Sequence, residues 1–477
     1  MSDRSASLPR VRREWLAVCL AVVAVKALFL LLDATPRFFL WDSVTYLQGA
    51  LGEGLPRDRS FLYSYLIRYS ALATGTLGAL TAVQTLAGVG SALLVFGLLR
   101  VWLGAGARLA GAAALLVAAL PSQLFYERMM MAEAGGSVLW LGFVAAVLGY
   151  CRRGEARWLP AVALLGIASI AFRLNGTPTV LLLGGLLPLW FAAFRRAPEA
   201  ALGGRRLLGQ LALVLACTAA LHVGYRHLVG RIAHTPPGYI GVEGLFRLGL
   251  VAPFVEPADF AGTGCPEDIL QRFPLPLADP DTREGQLWRD DGLWAAMRAA
   301  CPEAEHAADV VSARALHRRW TALPALALHT AAQYFDAREA AWRMNSDLGR
   351  HDLPLELIVP ARARFGVEIG GIPWTDTPVL RLFEHSRWPL TLSFFGLPLL
   401  SLALLWAARR RRHAPAQALA CIGLLSFATQ FLLSHVICFR YLAPFPVLFT
   451  LHAAVLLAWA RDARVPAPAG LAAAPVG

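Results

Sequence analysis

Lysine is nearly absent from this chain: Lys26 is its only lysine, and charged residues of all kinds make up 16% of the sequence. Hydrophobic residues make up 57%, and the mean hydropathy is +0.52. This balance excludes an ordinary soluble globular domain. The apolar residues also form blocks of the roughly 20 residues that a membrane-spanning helix needs, from Trp15–Leu32 to Leu442–Ala460. The sequence therefore predicts an all-α polytopic integral membrane protein.

Nucleotide-binding and hydrolase signatures are also absent from the sequence. It contains no GxxxxGKS or GxxxxGKT loop, no HExxH, no GxSxG elbow and no GxGxxG after a strand. These absences exclude a nucleotide-hydrolysing domain in this chain, and with it an ATP-powered pump formed by the chain alone. The seven cysteines include no CxxC pair, so the sequence predicts no zinc site.

The distribution of arginine decides what the net charge of +12 means. The arginines lie in short clusters between apolar blocks, a pattern typical of positive-inside loops and not of a nucleic-acid-binding stripe. The clusters are Arg10, Arg12 and Arg13; Arg152, Arg153 and Arg157; Arg195, Arg196, Arg205 and Arg206; Arg409 to Arg412; and Arg461 and Arg464. We therefore expect membrane lipids as partners and no nucleic acid.

One topology places every arginine cluster in the cytoplasm. It has about ten transmembrane helices, both termini in the cytoplasm, and a first helix that is an uncleaved span and not a signal peptide. The predicted spans are 14–32, 75–100, 106–121, 134–151, 158–173, 177–194, 207–224, 388–408, 416–434 and 441–460. The external connections are then 33–74, 122–133, 174–176, 225–387 and 435–440.

This topology divides the chain into four parts. Residues 1–224 form an N-terminal transmembrane module of seven helices, and 388–464 hold the last three helices. Between them, 225–387 is rich in Pro, Asp and Glu and is predicted to be a mostly helical extracytoplasmic segment. Within it, Trp320–Phe335 is apolar enough either to lie on the bilayer or to form a buried re-entrant helix. The Pro/Ala/Gly-rich tail 465–477 is predicted to be disordered.

Two cysteines, Cys265 and Cys301, fall in the external segment, where the compartment is oxidising. We expect them to form a disulfide; two unrelated free thiols are the alternative. In the chain-entropy model a loop of this length contributes on the order of 3–4 kcal/mol.

Asp42 is the first candidate for chemistry, because it follows the first helix directly and lies among aromatic residues. An acid held in an apolar surrounding at the membrane surface can act as a base or bind a metal. The alternative is that Asp42 caps a surface helix starting at Ser43.

Two further acids lie in the second external connection. Glu133 opens a transmembrane helix, and an acid inside the apolar boundary is a functional candidate; favourable placement at a helix N-terminus is the alternative. Glu127 is followed by Arg128, and the two can equally be a local surface pair.

Three arginines lie at external helix ends, against the positive-inside trend: Arg173, Arg440 and Arg68. The guanidinium fork suits phosphate. The alternative for each is an aliphatic stem that snorkels to lipid headgroups, and for Arg68 we favour that alternative.

Taken together, these residues resemble the GT-C superfamily of polytopic glycosyltransferases, among them protein O-mannosyltransferases and the aminoarabinose transferase of lipid A. The resemblance is to an ordered set of short motifs within 14–195 and 388–460. The set comprises Trp41, Asp42, Ser43 and Tyr46; Tyr63, Tyr65 and Arg68; Gln84; Pro121; Glu133; Arg173 and Asn175; and Arg440, Tyr441, Leu442, Ala443 and Pro444. The sequence departs from the family pattern in the first loop. Many members have a pair of acids there, whereas the acids nearest to Asp42 in this loop are Glu53 and Asp58.

The resemblance implies an enzyme of the bacterial inner membrane that transfers a sugar, with inversion, from a polyprenyl-phosphate donor. The acceptor would be a lipid, glycan or protein on the extracytoplasmic side. The resemblance also implies that Asp42 is the base, with Glu133 and Glu127 assisting, and that Asp42 and Glu133 would hold a divalent metal if one is present. Donor-phosphate binding would fall to Arg173 or Arg440, with Arg68 as a third candidate. Substrate contacts would fall to Trp41, Tyr46, Tyr63, Asn175 and Tyr441.

The competing interpretation is a transporter or flippase for a lipid-linked substrate. Transporters place ionisable groups and broken helices near the bilayer midplane in two related halves. Here the candidate acids lie at the outer boundary, and no inverted repeat is present in the sequence.

The topology predicts opposite locations for the C-terminus and the external segment. Reporter fusions after Gly477 and near Pro280 should give opposite signals, because an odd number of spans separates them. Equal signals would mean a wrong number of spans, with Trp320–Phe335 as the place to look for a missed helix.

Overall fold

The computed structural model describes residues 7–52, 54–194, 203–369 and 374–462, without the side chains of residues 7–10 and 40–41. Regular structure in these ranges is helical, apart from two isolated bridges, Arg37 to Met129 and Phe38 to Arg350. The all-α prediction is therefore confirmed. The predicted disordered tail and the cluster residues Arg195, Arg196 and Arg464 lie outside the described residues.

The N-terminal part contains eleven α-helices within the described ranges. They are α1 (Ser7–Leu32), α2 (Leu40–Leu51), α3 (Phe61–Ile67), α4 (Leu77–Gly97), α5 (Ala107–Ala118), α6 (Pro121–Tyr126), α7 (Glu133–Arg153), α8 (Leu159–Phe172), α9 (Thr177–Thr179), α10 (Leu187–Phe194) and α11 (Gly204–Ala233). Helix α11 ends nine residues beyond the predicted boundary at 224, so the segment predicted to be external starts later than expected.

The rest of the described chain contains twelve further α-helices. The external segment holds α12 (Glu243–Val251), α13 (Arg283–Trp288), α14 (Leu293–Ala300), α15 (Ala304–Arg319), α16 (Leu323–Gln333), α17 (Ala337–Ser346), α18 (Leu355–Phe365) and α19 (Pro378–Glu384). The last part of the chain forms α20 (Arg387–Arg410), α21 (Ala414–Leu433), α22 (Phe439–Leu442) and α23 (Phe445–Asp462).

Among the residues that the structure describes, seven helical stretches are long and apolar enough to cross a membrane: Val11–Leu32, Leu77–Trp102, Glu133–Arg153, Gly204–Ala233, Arg387–Arg410, Ala414–Leu433 and Phe439–Asp462. An eighth span results if the pair Leu174–Gly184 and Leu187–Phe194, bent by 58°, counts as one. The other two predicted spans coincide with the shorter apolar helices Ala107–Ala118 and Ala156–Phe172. A multi-pass protein is thus confirmed, whereas the count of ten stays a prediction.

The external segment has a hydrophobic core of its own. It is built mainly by α12, α14 and α15, with Leu248, Leu293 and Val311 fully buried. Cys265 and Cys301 are joined by a disulfide, with Cα atoms 4.5 Å apart, at the edge of this core.

Two other parts of the segment pack on the transmembrane bundle. Leu357 and Ala361 of α18 join a second core with residues of α2 and α3, and α16 packs against α21. With eleven residues, α16 is too short to cross a bilayer. Trp320, Leu328 and Phe335 on and beside it are more than half exposed, as expected for a helix lying along a membrane surface.

A buried ion pair holds the loop between α6 and α7 against the first helix. Lys26 of α1 donates to Glu127, and the two side chains are 2% and 1% exposed. Gln84 of α4 donates to the carbonyls of Glu127 and Met129 at 3.0 Å each. The same loop is bonded to the extended segment before α2, because Met130 N–H donates to the Arg37 carbonyl at 2.8 Å. The single lysine therefore fixes the segment that leads into α7.

Removing Lys26 should destabilise the protein strongly, because the Glu127 carboxylate would stay buried and keep only the longer contact of 3.9 Å with Arg128. We expect Lys26→Met to lower the free energy of unfolding by about 3–5 kcal/mol, and Lys26→Met with Glu127→Leu to recover most of the loss. Thermal unfolding in detergent measures both. Glu305→Gln is the control, since its pair with Arg57 is half-exposed and contributes about 0–1 kcal/mol. A Lys26→Met variant as stable as Glu305→Gln would contradict the prediction.

Candidate active site

Several helix ends meet around one cavity of about 500 Å³ at one end of the bundle. Helices α1, α8 and α21 end near this cavity, and α2 and α7 begin near it. The short helix α22, which leads into α23, also lies beside it. Arg100, Arg152 and Arg409 lie at the opposite ends of α4, α7 and α20. The candidate acids are thus separated from the arginine clusters by the length of the bundle.

Asp42 lines this cavity from the first turn of α2. Its carboxylate accepts from the guanidinium groups of Arg59 and Arg440, in two buried ion pairs. The capping alternative is wrong, because α2 begins at Leu40 and the Ser43 hydroxyl accepts from Phe39 N–H at 2.8 Å instead. Ser43 also donates to the Met130 carbonyl at 3.0 Å, which ties the first turn of α2 to the loop before α7.

The charge state of Asp42 follows from opposing effects. Burial disfavours the carboxylate and raises its pKa, but the positive charges of Arg59 and Arg440 outweigh burial and hold the pKa below its usual range. Asp42 is therefore ionised at neutral pH, and it is a weak base as long as both arginines stay in contact with it.

Glu133 lies beside Asp42 and shares one of its partners. Glu133 Oε1 accepts from Arg173 and is 3.6 Å from Arg440 Nε. Within the described residues, Glu133 Oε2 and Arg440 Nε are buried and have no hydrogen-bond partner. One acceptor and one donor can therefore each take a further hydrogen bond at the point where the ion pairs meet.

Aromatic rings hold the two inner arginines in place. The Arg440 guanidinium lies over the rings of Phe39 and Tyr441, with its central carbon 4.6 and 5.1 Å from their centroids. Arg173 lies 5.9 Å from the centroid of the same Tyr441 ring. Such cation–π contacts favour one orientation of each guanidinium, so both arginines present their N–H groups to the same space.

An apolar extension continues from the cavity between the transmembrane helices. It shares Arg173, Asn175 and Gln430 with the cavity and runs between α7, α8, α21 and α23, with room for about 60 Å³. Its other lining residues are mostly apolar and include Trp140 and Leu448. One side of the polar cavity thus leads into a narrow hydrophobic path at the level of the spans.

Seven of the predicted site residues come together here, and three do not. Asp42 and Glu133 are joined by the predicted phosphate ligands Arg173 and Arg440, and Tyr46, Asn175 and Tyr441 also line the cavity. Tyr63 is fully buried behind Tyr46 and donates to Gln84 at 2.6 Å. The side chain of Trp41 lies outside the described residues.

Two predicted roles need correction. Glu127 is fully buried against Lys26 and does not line the cavity, so neither a catalytic role nor an exposed surface pair with Arg128 fits it. Arg68 also lies away from the cavity, where its guanidinium donates to the Ala50 carbonyl at 3.2 Å in the last turn of α2. Their spacing in the sequence was compatible with the site, but their packing is not.

The most important residue missed by the sequence analysis is Arg59. It pairs with Asp42 and lies 3.5 Å from Asp58, which also lines the cavity. Like Arg68, it is an arginine of the first external connection placed against the charge trend, and that signal could have found it. Glu243, Arg247 and His435 also line the cavity and were not predicted. Glu243 and Arg247 come from α12, and no pattern in the sequence indicates that this helix lies beside the cavity.

A divalent metal does not fit this arrangement. Asp42 and Glu133 are neutralised by three arginines, which would repel a cation placed between them. Within the described part of the chain, no three His, Cys, Asp or Glu residues are grouped as metal ligands.

Comparison with known proteins returned one similar structure. No family model and no curated protein matches the chain. Among solved structures, the chain is similar to the crystal structure of ArnT from Cupriavidus metallidurans bound to undecaprenyl phosphate. The identity is 14%, the TM-score is 0.36, and the alignment covers 93% of this chain and 77% of that one. At this identity and TM-score, the roles of the site residues depend on the geometry described above.

Proposed function

We propose that the chain is a membrane glycosyltransferase of the GT-C type. It transfers a sugar, with inversion, from a polyprenyl-phosphate-linked donor to an acceptor on the extracytoplasmic side, with Asp42 as the base. The observation that carries this proposal is the shared arginine: Arg440 contacts both Asp42 and Glu133 in a cavity that continues into an apolar path. An acid, an anion-binding group and a lipid path are the three parts that such a transfer needs.

The donor phosphate would bind to Arg173 and Arg440. Both guanidinium groups line the cavity, and Arg173 also lines the apolar extension. A phosphate placed between them can accept charge-assisted hydrogen bonds while the hydrocarbon chain enters the extension. The donor is a phosphodiester with one negative charge, and the sugar would then lie in the wider part of the cavity near Asp42.

Donor binding would also change the base. A phosphate that accepts from Arg440 competes with Asp42 for the same N–H groups, so the carboxylate loses part of the stabilisation that keeps its pKa low. Asp42 then becomes a better proton acceptor only when the donor is in place. Premature proton uptake without a donor would be disfavoured by the same contact.

The reaction balances without a further reactant. The acceptor hydroxyl oxygen attacks the anomeric carbon, its proton goes to Asp42, and the bond between that carbon and the phosphate oxygen breaks. The polyprenyl phosphate leaves with the bonding electrons, and Arg173 and Arg440 stabilise the charge that it gains. Attack from the face opposite the phosphate gives inversion.

The acceptor would approach from the side of the external segment. Tyr239, Glu243, Phe246 and Arg247, on and just before α12, line the part of the cavity that lies away from the transmembrane helices. This wall mixes aromatic, charged and apolar groups, and it suits an acceptor with both sugar-like and hydrophobic parts. A lipid, a glycan and a protein all remain acceptor classes for the test.

Asp42→Asn tests the base. The amide keeps the size of the side chain but cannot take the proton, so we expect transfer to fall by at least ~10²-fold, the lower end of what a positioned base contributes. The assay measures sugar transferred from polyprenyl-phosphate hexoses and pentoses to acceptors in membranes that carry the protein. Glu133→Gln should cause a smaller loss.

Asp58→Asn is the matched control, since Asp58 lines the same cavity and pairs with Arg59 at 3.5 Å but, within the described residues, not with Arg440 or Arg173. We expect it to keep most of the activity. Wild-type transfer rates in Asp42→Asn would place the base elsewhere. If neither Asp42→Asn nor Glu133→Gln alters transfer while both alter uptake of a lipid-linked substrate, the transporter interpretation replaces this proposal.

Arg173→Ala and Arg440→Ala test donor binding. Each removes a charge-assisted contact with the phosphate, and we expect the Kd for undecaprenyl phosphate to rise by about tenfold or more. Arg440→Lys should recover only part of the affinity, because an ammonium lacks the bidentate fork. Titration of the purified protein in nanodiscs gives the Kd. Arg68→Ala is the control, and an equal loss in all three alanine variants would point to general headgroup attraction instead.

A further inference from the structure

The backbone that carries Arg440 is a short turn between α21 and the last transmembrane helix. Ser434–Cys438 has no helical bonds, and Cys438 is extended, with φ −155° and ψ 116°. The first N–H groups of a helix have no partner within it. Phe439 and Arg440 are such residues and lie buried, so their N–H groups need acceptors from elsewhere in the protein.

Asp347 of the external segment supplies the acceptor. Asp347 Oδ2 accepts from Phe439 N–H at 2.7 Å and from Arg440 N–H at 3.3 Å. The thiol of Cys438 lies 3.6 Å from the same oxygen. Asp347 is 5% exposed, directly follows α17, and does not line the cavity. Its hydrogen bonds therefore reach the site through the turn.

Tyr334 holds the preceding residue from the other side. Its hydroxyl accepts from Cys438 N–H at 3.1 Å and donates to the Cys438 carbonyl at 3.3 Å. Tyr334 follows α16, so two residues of the external segment bond to three consecutive residues of this turn. The peptide planes on both sides of Cys438 are thereby fixed, and with them the direction in which the Arg440 side chain leaves the backbone.

We propose that Asp347 is a positioning residue for Arg440: its carboxylate holds the Phe439–Arg440 backbone so that the guanidinium stands beside Asp42, ready to bind the donor phosphate. The proposal rests on the proposed function and deepens it, because it makes the external segment a part of the donor site. A segment that only covered the bundle would not need to bond to the turn that carries a site arginine.

The proposal predicts a pH dependence, whose sign follows from the surroundings of Asp347. The groups facing it are Arg440 and Cys438 from the turn, Tyr126 from α6 and Tyr334. Burial dominates and raises the pKa of Asp347 to about 6. Above this pKa the carboxylate is charged and holds the two N–H groups firmly; below it the neutral acid holds them less strongly.

The experiment compares undecaprenyl phosphate binding by the full-length wild type, Asp347→Asn and Asp347→Ala in nanodiscs between pH 5 and pH 7.5. Asp347→Asn keeps an acceptor oxygen without the charge and so imitates the neutral acid. We expect its Kd to exceed that of the wild type by about fivefold at pH 7.5, and the ratio to fall toward one at pH 5. Titration of the ligand phosphate is common to both proteins and cancels in the ratio. Asp347→Ala should bind more weakly than Asp347→Asn at pH 7.5.

Asp352→Asn is the matched control, because Asp352 is exposed on the same segment and accepts from Trp374 at 2.8 Å. Its Kd should equal that of the wild type at every pH. A Kd ratio for Asp347→Asn that stays the same from pH 5 to pH 7.5 overturns the proposal, including where Asp347→Ala fails to fold. If Arg440→Ala still loses affinity in that case, only the role of Asp347 fails. If Arg440→Ala and Arg173→Ala also bind normally, the proposed function fails as well.

Discussion

The site depends on the contacts of the buried Arg440 guanidinium with two carboxylates. Burying a cation this deeply costs free energy unless anions lie beside it, and Asp42 and Glu133 are these anions. The same contacts hold Asp42 ionised and leave Arg440 only partly satisfied. A ligand phosphate would change both properties at once. Under the proposed function, the ion pair would therefore connect donor binding to the basicity of Asp42, which two separate sites could not do.

The sequence was sufficient for the parts of the site that follow from helix ends. Apolar blocks and arginine clusters locate the spans. An arginine at the opposite end of a span, such as Arg173 or Arg440, is a functional candidate because a charge inside the apolar boundary costs free energy. All ten predicted spans coincide with helices, although two are short and one is bent. Chain order alone then places Asp42, Glu133, Arg173 and Arg440 at one end of the bundle.

What the sequence could not predict depends on packing between distant segments. Glu127 and Glu133 are six residues apart and equally acidic, but only the fold shows that Lys26 is the partner of one and Arg173 the partner of the other. Asp347 was missed for the same reason, since it is a common residue in a polar segment. Its importance comes from a partner that is 92 positions away, a distance at which local patterns carry no information.

The distance between Asp42 and Arg440 along the chain, 398 positions, has a consequence for biosynthesis. At about 5–20 residues per second, a ribosome needs roughly 20 to 80 s to make the stretch between them. Throughout this time Asp42 is already synthesised, and Arg59 is the earlier of the two ion-pair partners that the described residues give it. The ion pair between Asp42 and Arg440 can thus form only after α22 has been made. A nascent or C-terminally truncated chain that ends before α22 lacks the arginine that Asp42 and Glu133 share, so under the proposed function it could not hold the donor phosphate between two arginines.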